Sequence, residues 1–280
     1  MNDRPVVRAH ERLDRRRRDC FGVLVELAQV LEGSWENLCV VGGWAVYMLT
    51  EVFLGQGEDV PLRHRGSMDV DIGLGTAQVS VQQGEALASA LRGAGYIGPE
   101  GFHWLRRSRE NTYRLDLMAL PPPGHEGGPV VVGDYEFAPL WYGDALFAAP
   151  VELLIEGEKP TGEMGRGRVR VASPGGLLVV KAWTAATLGR EPDSKHLYDI
   201  FVLLRTYPGG PEGFVREVEP LRASEALEGA LGLLQALFVE GDNGIEAVVA
   251  ERANDPRDPE LLREEARVTV ERFLEAVAAG

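Results

Sequence analysis

Asp69 and Asp71 stand two residues apart in Arg65-Gly66-Ser67-Met68-Asp69-Val70-Asp71-Ile72-Gly73-Leu74. On a β-strand that spacing points both carboxylates to one face. Two carboxylates held side by side repel each other, so the pair makes sense beside a cation. A third acid, Asp116, lies in the apolar stretch Leu115-Asp116-Leu117, where a charge is costly unless it is paired or metal-bound. A strand neighbouring the Asp69/Asp71 strand would bring it close to them. Three converging acids suit two-metal chemistry: two hold Mg²⁺ (or Mn²⁺), and the third can bind a metal and activate an attacking hydroxyl. The competing readings are a solvated edge strand for Asp69 and Asp71, and a salt bridge to Arg114 or Arg106 for Asp116.

These acids need elements to position them. Upstream, the apolar run Leu38-Cys39-Val40-Val41 ends in Gly42-Gly43 and leads into Trp44-Ala45-Val46-Tyr47-Met48-Leu49. That order reads as strand, tight glycine turn, helix. Such a turn offers bare backbone N–H groups to a phosphate at a helix N-terminus. Alone, a double glycine is often just a turn; ahead of an Asp-x-Asp strand it reads as a phosphate cradle. Cradle and carboxylates together suggest a protein that handles a nucleoside triphosphate. Trp44 and Tyr47 read as packing residues, with base stacking the alternative.

Further elements follow from periodicity and turn residues. An amphipathic helix is expected over 8–32, a strand over 38–41, a helix over 43–54 and a strand over 68–74, with a polar, glycine-rich connection from Gly55 to Gly66. A helix over 79–94 stops at Gly93-Ala94-Gly95. Strand-like pieces cover 102–107, 113–120, 129–132 and 135–138, and a strand at 169–171 leads to Ser173-Pro174, an N-cap and first helical residue. From there the pattern is helical: 174–188, 194–206, 223–239 and 259–278. The expected class is α+β, with a mixed-sheet domain over 1–172 and a helical domain over 173–280.

The 280 residues carry a net charge of −14, which argues against a protein that coats nucleic acid through a broad basic surface but leaves room for a local basic groove. Two basic clusters stand out, Arg15 to Arg18 and Arg106, Arg107, Arg109 and Arg114. The second precedes Asp116 and could guide a phosphate-rich acceptor, or be a solvated face. The two cysteines, Cys20 and Cys39, read as buried thiols in a reducing cytoplasm. No apolar run approaches the ~18 residues of a membrane span, so a soluble, cytoplasmic protein is expected. Histidines and cysteines lack zinc-ligand spacing, and no local motif suggests a Ser-His-Asp triad.

The order of these residues resembles the nucleotidyltransferase fold of the polymerase-β superfamily, and more narrowly the AbiEii/AbiGii-type toxin nucleotidyltransferases of bacterial toxin–antitoxin and phage-defence systems. The matching pieces are Val41-Gly42-Gly43-Trp44-Ala45, then Arg65 to Asp71, then a helical block with Lys181-Ala182-Trp183-Thr184-Ala185-Ala186, Arg190, Lys195 and Leu197-Tyr198-Asp199-Ile200. The resemblance spans roughly 38–205. It implies an active site made of the glycine turn, the Asp-x-Asp pair, a helical lysine and a Lys-x-x-x-Asp element. By resemblance Lys181 contacts the triphosphate and Asp199 positions Lys181 or a metal; Arg190 and Lys195 are further candidates for the nucleotide. On physical grounds alone Lys181 could equally snorkel to solvent or form a structural ion pair. Lys195 and Asp199, four apart on a helix, could be a surface pair. The chain departs from the family at the second turn residue, glycine where many relatives have serine. It also carries a longer connection between Gly43 and Asp69, holding Glu58, Asp59, Arg63, His64 and Arg65, a lid or specificity element by expectation.

Two functional readings follow. One is a Mg²⁺-dependent enzyme moving a nucleotidyl group from an NTP to an acceptor hydroxyl on tRNA, protein or a small molecule, with phosphoryl transfer as a variant and an antitoxin as a partner. The other is a non-catalytic regulator on the same fold that binds a nucleotide or a protein. Clustered acids favour the enzyme, because a binding scaffold gains nothing from them.

Overall fold

A computed structural model describes residues 5–55, 64–75, 80–108, 110–187, 194–252 and 258–280. Its strands are Val6–Arg8 (β1), Leu38–Val40 (β2), Asp69–Leu74 (β3), Ile97–Glu100 (β4), His103–Arg107 (β5), Thr112–Ala119 (β6), Val130–Val132 (β7), Tyr135–Pro139 (β8), Val151–Glu158 (β9) and Met164–Val171 (β10). Among the described residues they join in the order β1-β9-β10-β2-β3-β6-β5-β4, with β8 beside the end of β6 and β7 paired to β8. The sheet is mixed: β3 runs antiparallel to β2 and parallel to β6. So β3 is an interior strand, which removes the edge-strand reading of Asp69 and Asp71. Val70, Ile72 and Leu74 are buried on it, while Asp69 and Asp71 are half-buried on the alternate positions. This alternation is what a strand with one wet face produces.

The helices are Arg15–Val30 (α1), Gly42–Leu54 (α2), Val81–Gly93 (α3), Pro174–Thr187 (α4), Ser194–Thr206 (α5), Gly210–Val218 (α6), Glu225–Leu234 (α7), Asn243–Glu251 (α8) and Pro259–Ala279 (α9). The chain divides into two units, Met1–Met48 with Arg65–Ala172, and Leu49–His64 with Ser173–Gly280. The division after Ala172 falls where the composition changes. Residues 49–64, expected in the first domain, group instead with the helical one.

In the sheet unit, α1 lies over β9 and β10, where the small residues Gly157 and Gly167 face Phe21 and Ala28. Phe21, Trp44 and Tyr47 form an aromatic cluster with ring centroids 5.3–6.1 Å apart. Trp44 and Tyr47 are fully buried, the packing role the sequence suggested. Cys20 and Cys39 are likewise buried and unpaired as a disulfide. In the helical unit, α5 is buried from Leu197 to Leu204, Asp199 included. Tyr207, Phe214 and Phe273 pack in succession, and Phe53 closes on Tyr207 at 4.8 Å. Among the described residues no helix is long and apolar enough to cross a membrane.

Several elements differ from expectation. The helix expected over 8–32 begins only at Arg15, because Asp14 caps it by accepting from the Arg17 backbone N–H at 2.8 Å, and residues 6–8 pair with β9. Strands β4 and β9 were not expected, and the strand at 169–171 is the end of a longer one. Their sequences, Val151-Glu152-Leu153-Leu154-Ile155-Glu156-Gly157-Glu158 and Met164-Gly165-Arg166-Gly167-Arg168-Val169-Arg170-Val171, are rich in charge and glycine, which weakens a strand signal read one segment at a time. Pairing resolves the conflict: Arg166 stands opposite Glu156 and Arg170 opposite Glu152, so charges that look unfavourable alone complement one another across the ladder. Helices α6 and α8 were also missed, and the helix expected over 223–239 changes to a π-helical turn after Leu234.

Candidate functional site

Parallel pairing of β3 with β6 sets Asp71 opposite Asp116 and Asp69 opposite Arg114. Antiparallel pairing of β6 with β5 sets His103 opposite Asp116. Register therefore gathers three acids, one arginine and one histidine on one face of three adjacent strands. One carboxylate oxygen from each of Asp69, Asp71 and Asp116 lies within 4.8 Å of the others. Two such charges about 4 Å apart repel by roughly 4 kcal/mol at an effective dielectric of ~20, so the arrangement calls for compensating positive charge.

The protein supplies part of it. The Arg114 guanidinium bridges two of the acids, with Nη2 donating to Asp69 Oδ2 at 3.3 Å and Nε 3.1 Å from Asp116 Oδ1. His103 Nδ1 stands 2.7 Å from the same Asp116 oxygen, and the Ser67 hydroxyl donates to Asp69 Oδ1 at 2.5 Å. The expected alternative for Asp116, an ion pair with Arg114, is thus present alongside the acid cluster. Arg106 is engaged elsewhere, by both oxygens of Glu26 at 2.6 and 2.7 Å. Of the second basic cluster, Arg107 is exposed and Arg109 lies outside the described residues.

The glycine turn meets the acids because β2 ends beside β3. The Val41 N–H donates to the Asp71 carbonyl at 3.0 Å, which carries the chain past Asp71 as α2 begins. Gly42 has φ +64°, and a Cβ there would stand 2.0 Å from Asp71 Oδ2. Only glycine allows both the left-handed backbone and the close approach. At Gly43 a Cβ would meet the Ser67 side chain at 3.1–3.2 Å. Hard anionic oxygens grouped beside a helix start that has no side chain in the way fit Mg²⁺ or Mn²⁺ by donor type.

A second cluster lies in the helical unit. Lys181 Nζ donates to Asp199 Oδ2 at 2.5 Å, and His64 Nε2 is 2.7 Å from Asp199 Oδ1. All three residues are buried, Asp199 completely. Burial alone would push the Asp199 carboxyl pKa up, but the charges and hydrogen bonds of Lys181 and His64 outweigh it and hold it well below the usual carboxylate range. Lys181 therefore does not snorkel to solvent; its ammonium has the ion-pair partner that the alternative reading required, and the partner is Asp199. Lys195 is exposed, so Asp199 is not the acid of a surface pair. Arg190, Glu58, Asp59 and Arg63 lie outside the described residues.

Sequence reasoning passed over Ser67 and His103 as participants, and it placed His64 in a lid or specificity connection, whereas the structure buries it against Asp199. Ser67 was within reach, two positions before Asp69 and so on the same face of an extended chain. His103 becomes visible only once β5 is paired with β6. His64 carried no local signal, since its partner is 135 residues away. No protein-family model matches this chain, and no curated protein matches it either.

Proposed function

We propose that the chain is a divalent-metal-dependent nucleotidyltransferase on a polymerase-β-type fold, moving NMP from an NTP to an acceptor hydroxyl. The observation that carries this reading is the convergence of Asp69, Asp71 and Asp116 on neighbouring parallel strands, with Gly42 drawn tightly against Asp71. Asp69 and Asp71 are assigned to metal binding. Asp116, held by His103 and Arg114, is assigned both to metal and to activation of the acceptor hydroxyl. The start of α2 at Gly42 and Gly43 is assigned to the triphosphate, by the helix dipole and the absence of side chains at its first two positions. A bound Mg²⁺ or Mn²⁺ would supply charge neutralisation on the phosphates and a lowered pKa at the attacking hydroxyl.

The test is a transfer assay with each NTP labelled at the α or the γ phosphate, Mg²⁺ or Mn²⁺, and acceptors that include total tRNA, protein and small molecules. Label is expected to move from the α position with the wild-type chain, and transfer is expected to fall about a hundred- to a thousandfold in Asp71→Asn, the loss typical of removing a principal electrostatic group. Movement of γ label would make the enzyme a phosphotransferase. Nucleotide binding without any transfer would replace the catalytic reading with the regulator. The toxin assignment is tested separately: induced wild-type chain should arrest growth, and Asp71→Asn should not.

A further inference from the structure

Arg114 stands among the acids in a way that catalysis by those acids does not by itself require. Its guanidinium spans Asp69 Oδ2 and Asp116 Oδ1, at 3.3 and 3.1 Å, and so touches two of the three proposed metal ligands. Its side chain is also 48% exposed, unlike Arg106, whose side chain is 14% exposed and held by both oxygens of Glu26. Three carboxylates and one arginine leave a net of about −2 among those four side chains, so Arg114 offsets only part of the repulsion. A half-exposed guanidinium has rotamer freedom to leave. Its planar fork suits phosphate as well as carboxylate.

We propose that Arg114 is a resident counter-ion that competes with the divalent cation for Asp69 and Asp116, and that it transfers to the triphosphate when nucleotide arrives. The cluster is then stable without metal, binds free divalent cation weakly, and binds it well only together with nucleotide. Metal and NTP load as a unit, and the acids are not occupied by metal alone. This inference rests on the metal-site reading above and adds to it an order of binding.

The role makes opposite demands on two affinities, which a merely structural arginine would not. The experiment uses the full chain and measures Mn²⁺ binding without nucleotide, by the electron paramagnetic resonance of free Mn²⁺. It then measures binding of each α,β-methylene ribonucleoside triphosphate at saturating Mn²⁺. Removal of one positive charge beside a cation site should make Arg114→Gln bind Mn²⁺ about five- to tenfold tighter than wild type, while the triphosphate binds about tenfold weaker. Arg114→Lys, which keeps the charge, should bind Mn²⁺ as the wild type does. Equal or weaker Mn²⁺ binding by Arg114→Gln overturns the counter-ion role, and unchanged triphosphate affinity overturns the transfer to phosphate. Should wild type, Arg114→Gln and Asp71→Asn all fail to bind Mn²⁺, the metal site itself fails and the inference with it.

Discussion

At the scale of single residues, the acid cluster depends on what is missing at position 42. A methyl group there would fall 2.0 Å from Asp71 Oδ2 on a backbone already at φ +64°, so Gly42→Ala is expected to cost about 1–2 kcal/mol in stability and to weaken Mn²⁺ binding by displacing Asp71. Gly43→Ala is the control. Its Cβ would meet the small Ser67 side chain at 3.1–3.2 Å and the Gly66 carbonyl at 3.8 Å, and neither is an acid of the cluster, so urea unfolding and Mn²⁺ affinity should both stay close to wild type. Equal losses in the two variants would deny Gly42 its special position. The Asp-x-Asp pair was legible from sequence because period two is a local property of strands. Of their partners, Arg114 was legible for Asp116, two positions away on one strand, whereas His103 was not, because it reaches Asp116 only through pairing between strands.

Among the helical elements, the bond between α4 and α5 is the clearest case of a local pattern misleading and a distant one deciding. Lys195 and Asp199 have helical pair spacing, yet Asp199 is buried against Lys181 and His64. The depressed pKa of Asp199 means that its contribution to stability is present above the unfolded carboxylate value, near ~3.9, and is lost as pH falls toward the folded value. The urea midpoint of the wild type should therefore drop on acidification from about pH 5 to about pH 2.5, and Asp199→Asn should show a distinctly flatter decline. At neutral pH the same substitution leaves Lys181 buried without its counter-ion and is expected to cost about 3–5 kcal/mol. Parallel declines in the two proteins would show that other carboxylates carry the acid sensitivity.

For the molecule as a whole, the division into units is not a division of the chain into two consecutive pieces. Residues 49–55 and His64 lie between sheet segments in sequence but belong to the helical unit, where Phe53 packs on Tyr207 at 4.8 Å and His64 meets Asp199 at 2.7 Å. A fragment of residues 173–280 lacks both groups. It is expected to melt at lower temperature than the same fragment mixed with excess peptide 49–64, since a ligand of the folded state raises its stability by mass action. Identical midpoints, read by circular dichroism, would make the helical unit independent of that segment. The sequence change near Ala172 was readable from composition, whereas the inserted segment was not.

By itself the sequence determined the features that depend on near neighbours: the Asp69/Asp71 face, the turn at Gly42-Gly43, the run of helices after Ser173 and the buried thiols. Strand period, glycine conformation and helical periodicity operate over a few residues, so one sequence suffices to reveal them. Tertiary structure alone decided that β3 is interior, that β9 and β10 offset each other's charges, that Arg114 reaches Asp69 and His103 reaches Asp116, and that His64 completes the Lys181–Asp199 pair. Each of these follows from strand register or helix packing between segments far apart in the chain, and the free energy of such contacts is written in no single stretch of it.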